Sequence, residues 1–192
     1  MKRIVSTIGL ALAFAALACA DPVLPVIQTL PASGNVAGPP GTVVGWGFTL
    51  SYAGADWVVL NDSNFTGSTV FGSYVDYLTL GNAPLYVVGP APESSSVTQA
   101  WNPASNPKLG LGEFDINSTA PPGTVISGNI AVDYSLFSQD PNNLNFDPGS
   151  FVSAGTLDAP VQITAAPEPG SMLLTGTALL LFGPAIRRRR AF

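Results

Sequence analysis

Residues 42–52 read Thr-Val-Val-Gly-Trp-Gly-Phe-Thr-Leu-Ser-Tyr, and this stretch decides the fold. Its even positions carry large apolar or aromatic side chains, whereas most of its odd positions carry small or polar ones. The large residues are Val44, Trp46, Phe48, Leu50 and Tyr52. Because successive side chains of a β-strand point to opposite faces, the alternation predicts a half-buried strand.

A second stretch, residues 126–136, alternates in the same way. Its large side chains are Ile126, Ile130, Val132, Tyr134 and Leu136, and Ser, Asn, Ala and Asp lie between them. The two patterns predict one shared core. The residues expected to face it are Trp46, Phe48, Leu50, Val132, Tyr134 and Leu136.

Short strands and turns are predicted for the rest of the central chain. Glycine and proline, at 20 and 18 residues, punctuate it, and no amphipathic helix is evident. Weaker strand candidates are residues 23–30, 57–60, 69–77, 85–88, 113–116 and 161–164. We therefore predict an all-β domain over residues 21–165: an antiparallel immunoglobulin-like β-sandwich, with a jelly roll as the alternative.

Charge is distributed very unevenly along the chain. Between Asp21 and Ala166 there are eleven acidic residues and one basic residue, Lys108, so this part has a net charge of −10. Such a surface should repel nucleic acid and should keep an exported domain soluble.

Catalysis by histidine is impossible because the chain contains no His. This excludes Ser-His-Asp and Cys-His mechanisms, and most zinc and copper sites. The one cysteine, Cys19, lies in a predicted leader, so no disulfide is expected in the domain. We expect no enzyme activity and no cofactor.

The N-terminus has the form of a signal peptide, residues 1–20. Lys2 and Arg3 precede an apolar helical segment that ends in Ala18-Cys19-Ala20. Small residues at Ala18 and Ala20 predict cleavage by signal peptidase before Asp21. The alternative is a lipoprotein in which Cys19 carries the lipid.

The C-terminus contains three signals in order. Pro167-Glu168-Pro169 is followed by an apolar run over residues 171–186 and then by Arg187, Arg188, Arg189 and Arg190. The prolines prevent a helix at the first signal, and the run predicts a short transmembrane helix. The arginines should remain in the cytoplasm, which leaves the domain outside.

This order, over residues 166–192, resembles the PEP-CTERM sorting signal of exported bacterial proteins. The resemblance implies recognition by an exosortase, a membrane-embedded transpeptidase that cuts near Pro-Glu-Pro. It implies a transient stay in the inner membrane, then the cell surface or an extracellular matrix that often contains exopolysaccharide. Gly170 stands where many relatives have serine. Some proteins labelled ice-binding carry the same tail.

Two acidic clusters in the domain could have chemical roles. Glu113 and Asp115 lie two residues apart, a separation that suits a glycosidase pair, but we expect both to lie in solvent. The segment around Asp140, Asn142, Asn145 and Asp147 is rich in oxygen ligands, yet its spacing fails the known calcium-loop pattern. An ordinary turn-rich loop is the expectation, and calcium binding is the alternative.

Trp101, within Gln99-Ala100-Trp101-Asn102-Pro103, is an aromatic residue in a predicted loop. An exposed ring there could stack on a sugar. The sequence therefore predicts an exported non-catalytic envelope or matrix protein. The alternative is a surface module that binds polysaccharide, or less plausibly ice, for which no regular threonine repeat is present.

Overall fold

The computed structural model describes residues 23–80, 83–90, 95–167 and 170. Within these ranges the chain forms strands and one short 3-10 turn at Pro148–Ser150. The strands are β1 (Val26–Leu30), β2 (Asn35–Gly38), β3 (Val43–Ser51), β4 (Trp57–Gly67), β5 (Gly72–Asp76), β6 (Val87–Val88), β7 (Ser96–Gln99), β8 (Gly112–Ile116), β9 (Val125–Phe137) and β10 (Phe151–Ala165). The predicted signal helix and transmembrane helix lie outside the described residues.

The strands form two five-stranded sheets. Sheet 1 has the order β1-β3-β8-β5, and β7 also pairs with β3. Sheet 2 has the order β2-β10-β9-β4-β6. The two sheets pack face to face, as shown by Phe65 of β4 and Phe114 of β8, whose rings meet edge to face at 5.4 Å.

The core lies between the sheets and is built by the two alternating stretches. All six residues predicted to face it, from Trp46 to Leu136, are buried. The Trp46 indole N–H donates to the Gly34 carbonyl at 2.9 Å, which satisfies the one polar atom of this ring. The all-β prediction is confirmed, and the immunoglobulin-like assignment stays a prediction.

One part of the predicted architecture is wrong. The sheets are not purely antiparallel, because β2 pairs with β10 in parallel, from Gln162 opposite Asn35 to Ala165 opposite Gly38. Both strands run toward the same end of the sandwich, where β2 turns directly into β3. The β2 and β7 strands were not predicted, and β10 begins ten residues before the predicted start at 161.

Pro160 explains why β10 is difficult to detect. Proline has no backbone N–H and is normally confined to positions where one strand edge is free. In β10, Pro160 pairs with Asn129 on one side only, since β2 joins the other edge at Gln162. The long strand β10 therefore contains proline, a residue that ordinarily marks the end of a strand in sequence-based prediction.

Replacing Phe48 with alanine tests the core. Phe48 is fully buried, and its ring meets Tyr86 edge to face at 4.9 Å. We expect Phe48→Ala to lower the free energy of unfolding by about 3–5 kcal/mol, as measured by urea denaturation of residues 21–166. Val43→Ala, in the same strand but exposed on the outer face, is the control and should cost less than about 1 kcal/mol. A similar small loss for Phe48→Ala would contradict the assigned packing.

Candidate functional site

The loop between β7 and β8 covers the outer face of sheet 1. Both strands pair with one edge of β3, β7 opposite residues 48–51 and β8 opposite residues 43–46. Residues 100–111 therefore leave this edge and return to it at nearly the same point. Two backbone hydrogen bonds between Asn102 and Leu109, of 2.8 and 3.1 Å, close the loop.

Trp101 lies at the beginning of this loop and packs on a glycine. A β-carbon at Gly45 would collide with the indole, so the close approach of the ring requires glycine there. The ring is half-buried, and its Nε1 atom is fully buried without a hydrogen bond to any described residue.

A charged cluster lies beside Trp101. Glu113, opposite Gly45 in the β3–β8 register, is only 7% exposed although it is on the outer face. Its carboxylate accepts hydrogen bonds from the Tyr77 hydroxyl and from Lys108 Nζ, the latter at 2.7 Å. Lys108 Nζ also lies 5.2 Å from the centre of the Tyr77 ring. We call Tyr77, Trp101, Lys108 and Glu113 the outer-face cluster.

The protonation of the cluster suits a structural role. Burial, and secondly the hydrogen bond to Glu113, raise the pKa of Tyr77 to about 12. The hydrogen bond to Glu113 raises the pKa of Lys108 above its ordinary value. At neutral pH the phenol is therefore a hydrogen-bond donor and the amine is a cation. Neither group is available as a base or nucleophile, and together they hold the loop on the sheet.

The prediction that Glu113 and Asp115 both lie in solvent is half wrong. Asp115 is exposed, but Glu113 is buried under the loop. Strand alternation correctly places both on the outer face and cannot reveal that another segment covers that face. Two signals in the sequence could have indicated that a loop covers this face. They are the glycines at outward positions 45 and 47, and the single lysine five residues before Glu113.

The segment expected to be a turn-rich loop, with calcium binding as the alternative, contains hydrogen-bonded turns. The Asn142 N–H donates to Asp140 Oδ1 at 2.8 Å, and the Gly149 N–H donates to Asp147 Oδ1 at 2.8 Å. Asp147 thereby caps the 3-10 turn. The alternative of calcium binding by Asp140, Asn142, Asn145 and Asp147 stays a prediction. Among the described residues, no group of three or more His, Cys, Asp or Glu side chains is placed to hold a metal ion.

The sugar-binding role of Trp101 stays a prediction. Its ring rests on the sheet, so a sugar could reach only the part that remains exposed. Of the predicted sorting motif, Pro167 is described and exposed. Glu168, Pro169 and the four arginines lie outside the described residues, as does the cleavage site. In the described part of the chain, no helix is long and apolar enough to cross a membrane.

Two open clefts lie at opposite ends of the sandwich. One, of ≈ 520 Å³, is lined by Asp115, Asn117, Ser118 and Gly41 at the end where β10 stops. The other, of ≈ 490 Å³, is lined by Val23, Leu24, Val26 and Tyr52 at the opposite end. The outer-face cluster lies away from the lining of both clefts.

Comparison with known proteins assigns no family to the chain. No protein family and no curated protein sequence matches the chain. Among solved structures it is similar to WR4, an MSP family member of C. elegans, at TM-score 0.33 and 10% identity, over 73% of this chain and 97% of that one. It is also similar to AggA, the major subunit of aggregative adherence fimbriae type I of Escherichia coli, at TM-score 0.31 and 10% identity, over 74% and 95%.

A third similar structure is the seventh ScaB type I cohesin of Pseudobacteroides cellulosolvens. Its TM-score is 0.28 and its identity is 12%, over 76% of this chain and 94% of the cohesin. TM-scores of this size carry no argument about function.

Replacing Gly45 with alanine tests the seating of Trp101. The added methyl group would meet both the indole and the Gly112 carbonyl, 2.6 Å away, so the loop must shift. We expect a loss of about 1–3 kcal/mol in the free energy of unfolding, measured by urea denaturation. Gly149→Ala, where the new methyl group meets only the flexible Asp147 side chain, is the control and should change stability by less than about 0.5 kcal/mol. Equal effects at both glycines would refute the packing.

Alkaline pH tests the state of Tyr77. The folded chain holds its phenol proton to a pH of about 12, whereas an unfolded chain releases it near pH 10. Between these values the unfolded state binds fewer protons, so the stability that Tyr77 contributes falls as the pH rises. The gap in unfolding free energy between the parent and Tyr77→Phe should therefore narrow above about pH 10. Parallel curves from urea denaturation between pH 8 and 12 would contradict this assignment.

Proposed function

We propose that this chain is an exported, non-catalytic protein of the bacterial cell envelope or extracellular matrix, sorted by a PEP-CTERM tail. The observation that carries the proposal is the order of three C-terminal signals: Pro167-Glu168-Pro169, the apolar residues 171–186, and Arg187–Arg190. The proposal gives each signal a separate physical task.

The folded domain ends where the tail begins. Ala165, the last residue of β10, is fully buried in the core. Ala166 still donates its N–H to the Gly38 carbonyl at 2.8 Å, and Pro167 has no N–H with which to continue. Cutting the chain after residue 166 would leave in place every strand and every core residue of the described part of the chain. The arrangement therefore suits a domain that remains folded when its tail is removed.

The tail suits temporary anchoring. Its 16-residue apolar run would span about 24 Å as a helix, because each residue adds about 1.5 Å, and the hydrocarbon core is about 30 Å thick. Four arginines at its end resist translocation and leave the domain outside. A helix this short holds the protein until an enzyme reaches residues 167–169, which we call the strip, but it is marginal as a permanent anchor.

The described chemistry favours binding or structure over catalysis. The buried carboxylate, Glu113, is taken up by Lys108 and Tyr77 and cannot act as a free base. The chain has no histidine to serve in its place. The acidic exterior, with a net charge of −10 between Asp21 and Ala166, suits a protein that must stay soluble outside the cell.

Replacing Glu168 with alanine tests the sorting function. Glu168 is the one charge in the strip, so we expect Glu168→Ala to be exported but not cut. Full-length protein should then accumulate in the inner membrane of a host that carries the sorting enzyme, as measured by fractionation and intact mass. Asp158→Ala, which removes an exposed acid from β10, is the matched control and should be processed like the parent.

Replacing all four arginines should have a different effect. Without the arginines the tail should be translocated across the membrane, and uncut protein should appear outside the cell. If Glu168→Ala were instead cut and released at the parent rate, the tail would be a simple short anchor and the sorting function would be abandoned.

A further inference from the structure

Two turns of the same sequence and geometry occur at one end of the sandwich. Each reads Pro-Pro-Gly-Thr, at residues 39–42 and at residues 121–124. In each the threonine N–H donates to the carbonyl of the first proline, at 3.2 and 3.0 Å. The glycines have φ of 80° and 85°, which matches a type II turn with proline then glycine at its centre.

These turns lie on either side of the last residues of β10. On one side, the Gly123 N–H donates to the Ala165 carbonyl at 2.7 Å, and the Ala165 N–H donates to the Thr124 carbonyl at 2.9 Å. On the other, the Ala166 N–H donates to the carbonyl of Gly38, which directly precedes the first turn. The chain thus leaves the domain between the two turns. We call residues 38–42 and 120–124 the rim.

The rim lies very close to the proposed cutting strip. Pro167 follows Ala166 directly, so the strip begins one residue, about 3.4 Å, beyond the last hydrogen bond of the sheet. From Ala166 to Ser171, where the apolar run begins, an extended chain spans roughly 17 Å at most. An enzyme that grips residues 167–169 therefore has the rim on one side and the membrane surface on the other.

The rim has the properties of a contact surface. It contains no charged residue, although the domain as a whole is strongly acidic. Asp115 lies beside the rim, in the cleft that Gly41 also lines, but the rim residues themselves bring no negative charge against an anionic membrane or against an enzyme that reads a glutamate. Its prolines and hydrogen-bonded turns are already rigid, so contact with a partner costs little conformational entropy.

We propose that the rim is the part of the folded domain that contacts the processing enzyme, so that the enzyme reads the strip together with the end of the sandwich. The partner is the extracytoplasmic face of a membrane-embedded transpeptidase. This inference rests on the proposed function, because it requires that the tail be cut. It goes further by assigning a substrate contact to residues outside the three tail signals.

The first test separates the rim from the strip without changing either. Inserting Gly-Ser-Gly-Ser between Ala166 and Pro167 moves the strip up to about 13 Å away, at about 3.3 Å per residue. In the full chain, expressed with the sorting enzyme, we expect processing to slow about fivefold or more, which is the loss of one interface contact worth about 1 kcal/mol. The same insertion between Asn143 and Leu144, at the opposite end, should leave the rate unchanged.

The second test changes the rim at fixed spacing. Pro121 is exposed at the first position of its turn, so Pro121→Glu should place a charge on the rim and slow processing to a similar extent. Pro141→Glu is the matched control, because Pro141 lies in the loop before β10, at the opposite end of the sandwich. The strand β10 is 15 residues long and so separates the two ends of the sandwich by about 46 Å. The melting temperature of each purified protein shows whether its domain remains folded.

The outcomes are distinguishable from failure of the proposed function. If Glu168→Ala blocks cutting and both rim variants slow it, the contact is supported. If Glu168→Ala blocks cutting but the insertion leaves the rate unchanged or raises it, the rim contact is overturned and the sorting function stands. If Glu168→Ala is cut normally, both are overturned. If the Pro121→Glu protein is unfolded, the insertion variant alone tests the rim contact, because the insertion alters no residue of the fold.

Discussion

The whole structure depends on the centre of β3, residues 44–48, being buried on both faces. Its inner face presents Trp46, Phe48 and Leu50, which are fully buried and form the centre of the core. Its outer face presents Gly45 and Gly47, also buried, and Trp101 rests on the first of them. Both edges of β3 are used as well, by β1 on one side and by β7 and β8 on the other. Among the described strands, β3 alone pairs with three others.

The same strand shows how far the sequence predicts the fold. Its alternation correctly identified the inner face, because burying large side chains on one face is a local property of the strand. The outer face could not be assigned in that way, since glycine there is equally compatible with solvent and with a covering loop. The missing information was the position of residues 100–111, which depends on how β7 and β8 share one edge. The burial of Glu113 was missed for this reason.

The two ends of the sandwich differ in character. At the end where β10 begins, Phe137, Phe146 and Phe151 pack edge to face, with ring centres 5.2 and 5.9 Å apart. At the end where β10 stops, the neutral rim surrounds the exit of the chain. The sequence predicts the tail signals but not the rim, because its two turns lie more than 80 residues apart and the pairing of β10 with both β2 and β9 brings them together.

The single lysine of the domain illustrates where this protein tolerates charge. Apart from Glu113, ten acidic residues between Asp21 and Ala166 have no basic residue in the sequence to balance them. Three of these, Asp115, Asp147 and Asp158, are exposed, so water solvates their carboxylates. Glu113 differs because the loop removes it from water, and an unpaired buried carboxylate would be costly. Lys108 and Tyr77 offset that cost within hydrogen-bonding distance. The loop that buries Glu113 therefore also supplies Lys108, the cation that neutralises this carboxylate. One segment of the chain provides both the burial and the compensating charge.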